Sequence, residues 1–289
     1  MVGKAVNALK RKFIRWALII ALGVTAAGAA SALAADAPSE RLTDAVRRYA
    51  TSPLSLDHPP PPAPVTPQVV FHGDRSRKRV ALTFDACATK VASGFDEEAM
   101  RVLIETRTPA TLFLGGKWML EHPGETRRLA AVELFELGNH SFLHPHMTRI
   151  PDEQVRRELE WTQIVMYSLT GRQAALYRPP YGEHDERVSR IAAAAGLITV
   201  QFDLASGDPD SGLSKERLLR SVTTGARNGS IIVLHMNGRG WKTAEALPDI
   251  IAELRRKGFD LVTVGQMLQD GRGPAATEPG TVDAPCRIE

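Results

Sequence analysis

The stretch Val80-Ala81-Leu82-Thr83-Phe84-Asp85 decides how this chain is read. Its β-branched, aliphatic and aromatic residues form a short strand, and that strand runs straight into an aspartate. From there the pattern alternates. Residues 99–106 predict a helix and 110–114 a strand. Residues 125–137 read as helical and meet Gly138 as a stop. Asp152 caps an amphipathic stretch to Leu169 that ends at Gly171. A brief strand is predicted over 176–178, a helix over 185–195 stopped by Gly196, and a strand over 197–203. A helix over 214–226, a strand over 230–235, a helix over 244–257 stopped by Gly258 and a last strand over 261–264 complete the run. Repeated βα units predict an α/β fold with a parallel sheet of about seven strands and outer helices.

Working outward from this block, the chain of 289 residues has ample material for a core. Lys4, Lys10, Arg11, Lys12 and Arg15 precede an apolar run from residue 16 to 30, and Ala32-Leu33-Ala34 supplies small residues for cleavage. Basic head, apolar middle and small-residue end predict a secretory signal over 1–34, hence an exported, periplasmic or secreted protein. An uncleaved membrane anchor is the other reading, since residues 16–35 are about long enough to span a bilayer. Without those five basic residues the formal charge turns from +3 to −2, so the sequence pI of 8.9 argues for no nucleic-acid partner. Residues 35–77 read as a short helix followed by a proline-rich spacer with the run Pro59-Pro60-Pro61-Pro62, which either holds the domain off a surface or wraps its edge. The catalytic block spans 78–268, and 269–289 read as a loose tail. Cys87 and Cys286 could pair in an exported protein, although sequence carries no geometry for a bridge.

Chemistry-bearing residues gather at the strand ends. Asp85 ends the first strand. His140 and His144 stand four apart in Gly138-Asn139-His140-Ser141-Phe142-Leu143-His144, where a turn of helix or a helical loop would place both imidazoles on one face to bind zinc. Arg178-Pro179-Pro180-Tyr181-Gly182 follows a later strand, Asp208 another, and His235 closes the strand over 230–235. In a β/α barrel the carboxyl ends of the strands and their loops form the active face. Any one of these residues could be a cap or a satisfied core polar group. Such residues after five strands, all at one edge, are harder to explain that way.

Thr83-Phe84-Asp85, His140-Ser141-x-x-His144, Arg178-Pro179-Pro180-Tyr181-Gly182 and Leu234-His235 together resemble, in order, the motifs of the NodB-homology polysaccharide deacetylases, carbohydrate esterase family 4. The likeness covers roughly residues 78–268. It implies a distorted, incomplete (β/α) barrel and removal of acetyl groups from N-acetylated sugars with a divalent metal, zinc being the expected ion. By the same resemblance, Asp85 is the base that activates water, and His140 and His144 are metal ligands. Arg178 orients the base, and the backbone N–H of Tyr181 helps hold the oxyanion. Asp208 tunes His235, the acid that protonates the leaving amine. Pro180, Tyr181, Leu234 and Trp241 are the expected substrate contacts. The implied partner is an N-acetylated glycan such as peptidoglycan or a surface polysaccharide.

The sequence also departs from that pattern. The family has a second aspartate directly after the base as third metal ligand, and here that position is Ala86. Either Asp85 itself reaches the ion, or Cys87, His146, Asp96 or water completes the shell, or the metal is weak or absent. Ala205 and Pro209 also replace family residues, and Trp241 is the candidate for the lost acetyl-pocket wall. Two other readings therefore stand beside a metal-dependent deacetylase: a metal-independent or small-amide C–N hydrolase on the same fold, and a catalytically silent glycan-binding protein.

Overall fold

The computed structural model describes residues 57–88 and 94–269. The expected signal peptide, the helix before the proline run, Cys286 and all but the first residue of the tail lie outside them. Strand β2 (Arg79–Ala86) pairs in parallel with β3 (Ala110–Leu114) on one side and β8 (Ser230–His235) on the other. The sheet runs in the order β1 (Val69–Val70), β6 (Ile198–Val200), β5 (Leu176–Tyr177), β4 (Phe135–Asn139), β3, β2, β8, β7 (Leu204–Ala205), and β9 (Asp260–Leu261) adds to the start of β2. All these ladders are parallel, and the sheet curls into an incomplete (β/α) barrel, as expected.

Around it pack α1 (Glu97–Glu105), α2 (Gly116–Glu121), α3 (Pro123–Ala131), α4 (Asp152–Thr170), α5 (Glu186–Ala194), α6 (Lys215–Gly225), α7 (Thr243–Arg256) and α8 (Val264–Gln269). Among the described residues no helix is long and apolar enough to cross a membrane. Helix ends follow local chemistry. Asp185 and Ser214 cap α5 and α6 by accepting from the N–H groups of Val188 and Arg217. Gly171 ends α4 at φ 68°, a left-handed conformation natural to glycine. Asp152 is the first helical residue of α4 and not its cap; Pro151 takes that place without a side-chain bond.

Three elements differ from the sequence reading. The helix expected to reach Leu137 stops at Ala131, and Phe135–Asn139 is a strand, β4. Glu136 masks its apolar pattern, because the carboxylate is used inside, accepting from Thr111 Oγ1 and from the N–H of Gly265. Gly138 stops no helix: a Cβ there would come within 2.5 Å of the Phe113 ring. Of the expected strand over 197–203 only Ile198–Val200 forms, as β6, and Leu204–Ala205 just beyond it is the separate strand β7, which pairs near the opposite end of the strand order. The last strand is shorter and earlier than expected, and residues from Val264 form α8. In all, the described residues hold nine strands, more than the expected seven or so.

The proline-rich segment lies along the domain. Val65 N–H donates to Ala193 O, Gln173 Nε2 to Pro60 O, and Pro62 sits where a Cβ on Gly196 would fall.

Strand alternation then sorts the side chains. Ala81 and Ile231 belong to an interior cluster with Val70, Phe113, Leu176, Val200, Val262, Val264 and Met267. Stepping by two along each strand leads from this apolar floor through Thr83 and Val233 to Asp85 and His235 at the carboxyl ends. The apolar layers fix the strands, and the strands deliver the polar pair to one rim.

Candidate active site

Asp85 and His235 are register partners on neighbouring parallel strands, so both side chains rise from the same level of the sheet. They line a cleft of about 760 Å³ together with His140, His144, Pro179, Tyr181 and Asp208. The Asp85 carboxylate is buried and accepts from Arg178 Nη1 at 2.8 Å. Burial pushes its pKa up, but the charges of Arg178, His140 and His235 outweigh that and hold it below the usual carboxylate range. Arg178 is itself held from below. Its Nη1 donates to Thr83 Oγ1 at 2.7 Å, its Nη2 to Gln201 O at 3.2 Å, and its guanidinium lies 4.1 Å over the Phe113 ring. That ring contact is why Gly138 must lack a side chain.

His140 directly follows β4, and its Nδ1 is 2.8 Å from Arg178 O, which turns Nε2 toward Asp85 Oδ2 at 3.7 Å. His144 reaches the same place through a loop and not a helical turn, because Ser141 and His144 both take left-handed backbone at φ 62° and 58°. The two rings meet edge to face with centroids 4.9 Å apart. Sequence spacing predicted their meeting but not its geometry. Two groups that sequence reasoning missed hold the loop: Asn139 Oδ1 accepts from Ser141 N–H, and the buried Glu158 carboxylate accepts from the N–H groups of Phe142 and Leu143 at 2.8 and 2.7 Å. Glu158 sits in a heptad-like polar position of α4 and carries no signal in sequence.

Burial lowers the pKa of both site histidines. For His144 the shift is large, with His140 and His235 adding to it. Both imidazoles are therefore neutral at pH 7, the form that binds a cation, and His144 Nδ1 is buried with no hydrogen-bond partner. The pair fits a divalent ion. A third protein donor does not converge on it: among the described residues no group of three or more His, Cys, Asp and Glu side chains is arranged to hold a metal. Ala86 is fully buried and does not line the cleft. The alternatives are engaged elsewhere. Cys87 is a buried thiol whose Sγ and carbonyl accept from Asn237 Nδ2, Asp96 caps α1 through Ala99 N–H, and His146 pairs with Glu183 at 2.9 Å. Asp85 is the carboxylate that remains beside the imidazoles.

Tyr181 occupies a left-handed conformation at φ 59° in the short 3₁₀ turn Pro180–Gly182. Its ring stacks on His146 and meets His144 edge-on, and its hydroxyl donates to His144 O at 3.2 Å. A non-glycine residue held there marks a backbone constrained for a purpose.

On the opposite wall, Asp208 Oδ1 accepts from His235 Nδ1 at 2.8 Å and from Ser206 Oγ at 2.9 Å, while Oδ2 accepts from Thr243 Oγ1 at 2.6 Å. Ser206, Thr243 and Gly240 were also missed. A Cβ on Gly240 would strike Thr243 Oγ1 and His235 O at 2.4 Å, so the Asn237-Gly238-Arg239-Gly240 run was the legible hint. Three expected substrate contacts lie elsewhere. Leu234 alternates away from the cleft and is fully buried, its neighbour Val233 facing the cleft instead. Trp241 is 57% exposed and does not line the cleft. Pro180 is buried behind the Tyr181 turn and is not on the wall either.

An incomplete parallel barrel with a supported carboxylate, two neutral imidazoles and a carboxylate-held histidine at the strand ends is a hydrolase-type architecture. Residues 72–200 match the family model described as polysaccharide deacetylase. The chain is similar, in sequence and in fold, to members of carbohydrate esterase family 4. It is 27% identical over 265 residues to the peptidoglycan-N-acetylmuramic acid deacetylase of Bacillus subtilis, covering 88% of this chain and 96% of that one. Among solved structures it is similar to a peptidoglycan N-acetylglucosamine deacetylase in complex with a hydroxamate-type benzamide (TM-score 0.65, 27% identity, 70% and 92% of the two chains). It is also similar to a family 4 pseudoenzyme from Bacillus anthracis (TM-score 0.63, 26% identity, 71% and 70%).

Proposed function

We propose that this protein is a hydrolase that removes acetyl groups from the N-acetylated sugars of a bacterial cell-wall glycan. The observation that carries the reading is the pairing of Asp85 with His235 across adjacent strands, each with its own dedicated partner, Arg178 and Asp208. A base held ionised and an imidazole oriented by a carboxylate are what amide hydrolysis needs: one takes the proton of the attacking water, the other gives a proton to the departing nitrogen. A protein that only bound glycan would need neither.

Asp85 takes the water proton on the oxygen that Arg178 leaves open. The backbone N–H of Tyr181, whose ring packs against His144, would serve the developing oxyanion. His235, with Nδ1 committed to Asp208, delivers its proton from Nε2 to the leaving amine. His140 and His144 would hold a divalent cation, zinc by the chemistry of two neutral imidazoles, with Asp85 as the remaining donor. When bound it supplies Lewis acidity and lowers the pKa of water to about 7. Export to the cell envelope follows from the N-terminal signal and brings the protein to such a substrate.

The Bacillus anthracis relative makes a silent glycan binder the second reading, and Ala86 is the residue that favours it. Acetate release from N-acetylated glycan oligomers, measured with and without a chelator beside metal analysis of the purified protein, decides between them. Chelator-sensitive release with stoichiometric zinc supports the proposal. Release without metal removes the ligand assignment. Tight glycan binding with no release on any oligomer makes the protein the silent binder.

A further inference from the structure

The cleft wall opposite the histidine loop is basic. Helix α6 buries Leu218 and Val222 and turns a second face, Arg217, Arg220, Ser221 and Thr224, to the cleft. Arg239, from the loop after β8, lines the same wall. Several surface arginines elsewhere are paired within their own helices, as Arg101 is with Glu98, Arg156 with Glu153, Arg190 with Glu186 and Arg256 with Glu253. Arg217 and Arg220, on the cleft-facing side of α6, are not paired in this way. Both are exposed, and among the described residues neither guanidinium is hydrogen-bonded or ion-paired; Arg220 acts on Glu216 only through its charge. The carboxylates of the cleft do not answer them. Asp85 is bonded to Arg178, Asp208 to His235, Ser206 and Thr243, and Asp210 accepts from Gly212 N–H.

We infer that Arg217 and Arg220, with Arg239, form a subsite for a carboxylate, and that the preferred substrate is an N-acetylated glycan carrying an acid group near the reacting sugar. The inference rests on the deacetylase reading and sharpens its substrate class. A neutral N-acetylhexosamine gives guanidinium groups nothing to pair with, whereas a carboxylate can take both N–H groups of one guanidinium. Two chemistries supply it: the lactyl ether of a muramic acid and the ring carboxylate of a uronic acid.

The test uses the full chain and measures acetate release from a neutral N-acetylglucosamine oligomer, an oligomer with N-acetylmuramic acid, one with a uronic acid, and the methyl esters of the last two. Wild type should prefer acid to ester by about tenfold in kcat/KM at low salt, mostly through KM, and the better of the two acids names the source. The double variant Arg217→Gln, Arg220→Gln should bring the acid-to-ester ratio to about one, and each single variant should lower it about threefold. Arg190→Gln, remote from the cleft and ion-paired within α5, should keep the wild-type ratio. A wild type that treats acid and ester alike, or a double variant that keeps the preference, overturns the subsite. If no oligomer releases acetate, the deacetylase reading fails, and calorimetric binding of the same acid and ester pairs still judges the arginines. Arginine-dependent preference for the acid upholds the subsite, and equal binding overturns it.

Discussion

Asp208 grips His235 at two points: its Oδ2 accepts from the backbone N–H of His235 at 2.7 Å, and its Oδ1 accepts from the ring Nδ1 at 2.8 Å. One carboxylate thus fixes the end of β8 and the tautomer of the imidazole above it. Ser206 and Thr243 fill its remaining acceptor positions, and its side chain is fully buried.

Asp208→Asn should therefore damage chemistry far more than binding. An amide can still accept the backbone N–H, but with its oxygen there, its NH₂ group faces His235 Nδ1 and favours the wrong tautomer. We expect kcat to fall about 10²- to 10³-fold with KM changed only a few-fold. Steady-state kinetics on an N-acetylated oligomer checks this, and a kcat within twofold of wild type would remove His235 as the acid.

Asp85 and Arg178 should behave as a unit. Asp85→Asn should drop turnover below about one-thousandth of wild type, since an amide cannot take the water proton. Arg178→Leu leaves a buried carboxylate without its cation and should cost about 3–5 kcal/mol of stability. Chemical denaturation of both single variants and of the double variant measures the coupling. Strictly additive losses would mean that the 2.8 Å contact stabilises nothing.

The fold was legible because the long strands β2, β3 and β8 are short apolar runs with clear ends, and because Gly171, Gly196 and Gly258 stop helices as glycines do. It failed at β4, where a strand of one turn's length holds an inward-used glutamate and a glycine needed by a ring in the next strand. The candidate site was legible in the residues whose side chains could carry chemistry and that meet there, Asp85, His140, His144, Arg178, Asp208 and His235. Supporting groups were not. Glu158, Gln201, Ser206 and Thr243 act through contacts between residues far apart in the chain, and nothing in their own neighbourhood announces it. Leu234 and Trp241 were misplaced for the same reason: which way a residue at a strand end or in a loop faces is set by register, not by its type.

Glu158 gives a pH signature. Burial raises its pKa to about 7 from an ordinary 4.5, even though two backbone N–H groups favour the anion. A raised folded-state pKa means the folded protein binds this proton more tightly than the unfolded chain. Its contribution is therefore fully present below about pH 4.5 and is lost as pH rises toward 7, by roughly 3 kcal/mol in all. Glu158→Gln keeps an oxygen for Phe142 and Leu143 without the buried charge. Thermal melts should show the variant more stable than wild type at pH 8 and little different at pH 5. A variant that is less stable at pH 8 would show that the histidine loop depends on the ionised carboxylate.

Ala86→Asp tests the missing ligand. Ala86 closes β2 one residue past Asp85. Its carbonyl accepts from Gly115 N–H at 2.8 Å, and the next residue, Gly116, donates to Ser141 O at 2.9 Å, so the backbone at 86 is tied to the histidine loop through two glycines. A carboxylate introduced there sits in a fully buried position one residue along the strand from Asp85. Without metal it is an unpaired buried charge, and the apo variant should melt lower than wild type. With zinc it gains a partner, so both the zinc affinity by calorimetry and the zinc-induced rise in Tm should exceed those of wild type. An unchanged affinity would mean that Asp85 or another group already completes the shell. A lower affinity would mean that this chain has rebuilt its site around two imidazoles, and that an added carboxylate only repels Asp85.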